Sequence, residues 1–171
     1  MKKLYLILVS ILITTITYAQ KEAVNFANAS TPYHNIDKDS LALNGFDPTE
    51  YFVNNRASRG SSKYLYKYQG IKYYFLNEKN KSLFIENPKK YLPEFGGYCA
   101  YGLGMESGLG LNGNPPGKYP VNPETFKIID NKLYLFYNDY GYNFLEVWES
   151  NEKANLERAK KRWEVINKKN Q

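Results

Sequence analysis

Residues 63–88, KYLYKYQGIKYYFLNEKNKSLFIENP, decide how this chain is read. Tyr64, Tyr66 and Tyr68 recur at every second position before Gln69-Gly70, and Ile71, Tyr73 and Phe75 do so after it. A period of two puts each set on one face of a strand, and a two-residue link ending in glycine is a hairpin turn. Asn77 then stands where a helix N-cap belongs, and EKNKSLFIEN runs helically until Pro88. The reading is a 63–76 hairpin with a 78–87 helix laid across it, with Leu83, Phe84, Tyr91 and Leu92 turned toward the strands.

The flanks extend this unit. Upstream, LALNGFDPTEYF (41–52) carries a turn at Asn44-Gly45, then Asp47 as an N-cap, Pro48 at the first helical position and Glu50 placed for a capping box. A helical turn over 48–52 is predicted. Downstream, GLGMESGLGLNGNPPGKYP (102–120) is too rich in glycine and proline for a regular element and reads as a long loop. A second hairpin, TFKII (125–129) and KLYLFY (132–137), turns at Asp130-Asn131 and is expected to join or extend the first sheet. YNFLEVW and NEKANLERAKKRWEVIN read as one or two helices. Leu156, Ala159, Trp163 and Ile166 form the stripe they lay on the sheet, with Trp163 as its large anchor. The fold class is α+β: a small single domain over 41–171, with β-hairpins packed against helices and a C-terminal helical extension.

The N-terminus belongs to export. Met1-Lys2-Lys3 is basic, Leu4 to Ile16 is apolar, and Thr17-Tyr18-Ala19 sets small residues for a cut before Gln20. This is the pattern of a signal peptide over 1–19, too short for a membrane anchor, with no cysteine at the cut for a lipid. The mature chain is expected to begin at Gln20, to be periplasmic or extracellular, and to hold about 150 residues, one ordinary domain. No later run is long enough to span a membrane. Residues 20–40 have no sustained period and read as an arm. The net charge of +6 comes from lysines interspersed with glutamates, a solvated surface without any nucleic-acid motif. One cysteine excludes an internal disulfide framework, so stability rests on packing, supplied by Tyr 17, Phe 9 and Trp 2.

ALNGFDPTEYF, YQGIKYYFLNEKNKSLFIENPKKYLPEFGGYCAYG and NPETFKIIDNKLYLFYN with the closing tryptophan helix together resemble the YHS domain family, in its exported subgroup labelled YHS domain-containing (seleno)protein. The resemblance spans roughly 41–166 and implies a small metal- or cofactor-associated module. Metal-handling members place one cysteine after Asp-Pro and two more around the hairpin–helix junction. Here those places read Asp47-Pro48-Thr49-Glu50-Tyr51 and Phe75-Leu76-Asn77-Glu78, so the scaffold is kept without its thiolates. The subgroup label implies selenocysteine in some relatives, which at the Cys99 position would favour thiol chemistry.

Three functional readings stay open. In the first, an exported module binds a metal ion or small ligand. Cys99, His34 and Met105 are the mature chain's soft and borderline donors, suited to copper or another soft metal if they converge, with Asp47, Glu50, Glu94 and Glu106 as harder candidates. In the second, Cys99 is a redox or nucleophilic thiol. It has no resolving cysteine, no CxxC and no haem-attachment motif, so its partner thiol would be external. In the third, Cys99 is a small buried hydrophobe between Tyr98 and Tyr101, and the chain is a structural or interaction module.

Overall fold

The computed structural model describes residues 34–106 and 116–168. The predicted 1–19 signal peptide, the predicted arm as far as residue 33 and the 107–115 part of the glycine-rich stretch lie outside the described residues. The hairpin–helix unit forms as the sequence predicts. Strand β1 (Ser61–Tyr68) pairs antiparallel with β2 (Ile71–Phe75), and Gln69 (φ 48°) and Gly70 (φ 83°) are both left-handed, the mirror-image turn that matches strand twist. A register shift between Ser61 and Leu65 bends the start of β1.

Asn77 caps the helix Glu78–Glu86 by accepting from the Asn80 amide at 2.9 Å. Phe84 on this helix is fully buried, ringed by Tyr66, Tyr68, Tyr73, Phe75 and Tyr91 at centroid distances of 4.9–6.4 Å. In chain order the helices are α1 (Glu50–Val53), α2 (Glu78–Glu86), α3 (Pro88–Tyr91), α4 (Ala100–Gly104), α5 (Phe144–Glu149) and α6 (Glu152–Lys168).

The second hairpin, β3 (Asn122–Ile129) with β4 (Lys132–Phe136), turns through left-handed Asp130 and Asn131. It does not extend the first sheet as expected; each hairpin is its own two-stranded sheet. The reason is that irregular backbone occupies the edges that would have met. Lys72 of β2 exchanges backbone bonds with Ser40 and Ala42, and β4 bridges Pro93 and Cys99 through Leu133 and Leu135.

β4 is buried on both faces. Leu133 and Leu135 join the core around Phe84, while Tyr134 and Phe136 join a second core around Trp148. The period-two alternation of one short strand therefore divides the interior in two. A third hairpin, β5 (Asn138–Asp139) and β6 (Tyr142–Asn143), is a departure from the sequence reading.

Two further expectations are corrected. The large ring sealing the second core is Trp148, fully buried, whereas Trp163 is only partly so, because the α6 stripe buries Ala159 and Ile166 and leaves Trp163 at its margin. Residues 102–104 are helical, not loop. Their glycines let α4 lie against its neighbours: a Cβ on Gly104 would sit 2.5 Å from the Asn155 carbonyl oxygen, and one on Gly102 2.6 Å from the Tyr119 ring. From α6, Arg158 donates to the Gly104 carbonyl, and Arg162 to those of Leu103 and Met105, covering acceptors that the helix end leaves open. No described helix is long and apolar enough to cross a membrane.

Candidate functional site

Cys99 closes the segment that pairs with β4, its amide donating to the Tyr119 carbonyl at 3.0 Å. It is the N-cap of α4. Its sulfur accepts from the Gly102 amide at 3.4 Å and from the Tyr137 amide at 3.2 Å, and it has no exposed surface. Serine or aspartate usually fills such a cap. Here the surroundings are apolar, and a thiol accepts two N–H groups while losing little hydration. Burial pushes the thiol up to about 11, the backbone donors offsetting only part of that. Met105 is buried in the same core, and neither residue reaches the wall on which His34 lies.

Asp47 and Glu50 take part in the other buried polar arrangement, at the edge of the first core. Asp47 Oδ1 accepts from the amide and hydroxyl of Thr49 at 2.8 and 2.6 Å; Oδ2 accepts from the Leu76 amide and Asn80 Nδ2, both at 2.7 Å. The capping box does not form. The Asp47 amide goes to the Ser58 carbonyl, and Glu50 accepts from Asn80, Asn54, Arg56 and Ser58 at 2.8–3.1 Å. A short helix starting at Glu50 turns that carboxylate toward the hairpin–helix junction, where four donors outcompete one backbone amide.

Burial alone would raise the Glu50 carboxyl, but those donors together hold it below the ordinary range. Asp47 of the Asp-Pro pair thus contacts the hairpin–helix junction directly, through the Leu76 amide and Asn80. Sequence reading placed Asp47 and Glu50 in a local cap and among the harder metal candidates, and gave Asn80 no role.

A cleft lies at the seam of the two cores, with a volume of about 220 Å³. One wall is Leu43, Ile71 and Tyr73; the other is Glu94, Phe95 and Trp163. Its floor follows from backbone geometry. Phe95, Gly96 and Gly97 are all left-handed, at φ 56°, 61° and 82°. Glycine tolerates this freely, but a phenylalanine there costs about 1–2 kcal/mol. Phe95 is held by its buried ring, packed on Tyr134 at 5.5 Å and Trp163 at 5.9 Å.

Asn35 ties the N-terminal segment to this turn, its amide donating to the Gly96 carbonyl at 2.8 Å and its side chain to that of Gly97 at 3.0 Å. His34 is thereby set on the cleft wall, and burial lowers its pKa, leaving the imidazole neutral at neutral pH. Gly96 and Gly97 thus shape the cleft instead of opening a path to the thiol.

The remaining acidic candidates are apart from one another. Glu94 pairs with Lys132 at 3.2 Å, and Glu106 with Arg158 at 3.4 Å. Among the described residues, no three side chains of His, Cys, Asp or Glu stand together as a metal ion requires, and no buried side-chain nitrogen or oxygen lacks a hydrogen-bond partner. Set against known protein families, curated proteins and solved structures, the chain matches none.

Proposed function

We propose that this chain is an exported YHS-like binding module that takes a small ligand in the cleft between its two cores. The observation that carries the reading is the cleft floor, where a bulky residue is kept in a left-handed conformation to shape a cavity walled by aromatic rings. Backbone strain that neighbouring packing must hold in place is characteristic of ligand sites, and aromatic walls with a few polar groups are their usual lining. A thiol redox role draws less support. A reactive cysteine needs an accessible, low-pKa thiolate, and Cys99 has neither property.

The test is an NMR screen of the full chain against small cationic, neutral and anionic fragments. Binders should shift His34, Gly96, Gly97 and the Trp163 indole while leaving Gly102 and Tyr137, the donors to Cys99, unmoved. Fragments that bind only elsewhere, or none that bind at all, would refute it.

A further inference from the structure

Among the described residues that line the cleft, Glu94 is the only acidic one, and no lysine or arginine stands beside it there. It shares the cleft lining with the rings of Phe95 and Trp163 on its own wall and Tyr73 on the facing one. A carboxylate among aromatic faces is the chemistry that recognises an ammonium group: the ring quadrupole attracts the cation's charge, and the carboxylate neutralises it. The site already holds such a pair, since Lys132, at the start of β4, reaches Glu94 from outside with its ammonium 3.2 Å from the carboxylate. Lys132 is half exposed, and a surface pair of this kind is weak enough for a competing cation to displace.

We infer that the cleft's ligand is a small organic cation, a primary or quaternary amine, bound between Glu94 and the aromatic walls in competition with Lys132. This rests on the cleft being the ligand site and adds the ligand's class. Tyr134, packed on Phe95 beside the cleft, is pushed up to about 12, first by burial and then by the charges of Glu94 and Asp130.

The experiment titrates choline and its uncharged carbon isostere into the full chain and follows the Trp163 indole and the Gly96 and Gly97 amides by NMR. Choline should bind and its isostere should bind at least about tenfold more weakly. Glu94→Gln should weaken choline about tenfold, and Lys132→Met, which removes the internal competitor, should tighten it roughly threefold. Each variant is first checked for an unchanged melting temperature and amide spectrum, and Lys132→Met supplies an independent readout if Glu94→Gln unfolds. Equal binding of the two probes, with neither variant changing affinity, overturns the cation assignment and leaves the cleft as a site for neutral ligands. No binding of choline also overturns the assignment, and the cleft reading then falls only if the wider fragment screen finds nothing there.

Discussion

The two cores on either side of β4 handle buried polarity by different means. The first takes in two acidic side chains, Asp47 and Glu50, and surrounds them with donors from Thr49, Asn54, Arg56, Ser58, Leu76 and Asn80. The second takes in a thiol, given two backbone amides, and the Asn155 side chain, which donates to the Trp148 carbonyl. An ionised carboxylate loses several kcal/mol of hydration on burial and survives only when almost every lone pair is met. A thiol loses little and needs little. Both groups sit where a motif reading would look for chemistry, and both are saturated and sealed. Groups that an outside molecule can reach lie at the seam between the cores, on the cleft wall.

This contrast can be broken experimentally. The largest effect should come from Trp148→Ala, which empties the centre of the second core and should lower stability by about 3–5 kcal/mol. Trp163→Ala, at the core margin, should lower it by about 1 kcal/mol. Chemical denaturation that ranked the two the other way would move the core to the cleft side. Asp47→Ala should cost about 3 kcal/mol, since it strips the acceptor from the Leu76 amide, the Thr49 amide and Asn80 at once. A variant as stable as the parent would mean that the first core does not depend on its network.

Cys99→Ala should cost about 2 kcal/mol by orphaning two amides, and Cys99→Ser about 1 kcal/mol, because a hydroxyl can still accept. The thiol of the parent should resist labelling until the protein is denatured. Rapid modification under native conditions would return the redox reading to contention.

The smallest effects separate the cores by pH. Glu50 is depressed in the folded state, so its contribution is full above the ordinary carboxylate pKa of 4.5 and is lost as pH falls through the lower folded value. Cys99 is raised, so its contribution is full below 9.0 and is lost as pH climbs from there to about 11. Glu50→Gln should flatten the acid limb of a stability–pH curve and leave the alkaline limb alone. Cys99→Ala should flatten part of the alkaline limb, the buried tyrosines accounting for the rest. Variants that changed the wrong limb would show that the two networks are not independent.

The sequence by itself determined the local elements. Alternating tyrosines on either side of Gln69-Gly70, the Asn77 cap, the stop at Pro88 and the Asp130-Asn131 turn each act within a few residues, and each formed where they were read. The α+β class followed from them. Tertiary structure alone decided what those elements meet. Whether the hairpins share a sheet depended on residues 40–42 and 93–99 reaching the strand edges first, and no local pattern records that competition.

Which tryptophan is central depended on where α5 and α6 pack, since Trp148 and Trp163 both sit on helical stretches. Cys99 stood out by being single, but its role came from a backbone cap and from Tyr137, 38 residues away. The cleft was the least legible feature. It is built from the space between two cores and from three left-handed residues, one of them a phenylalanine whose conformation no propensity would assign. Periodicity and capping act along the chain, whereas cavities, edge pairing and the saturation of buried charge arise only when distant segments are brought together.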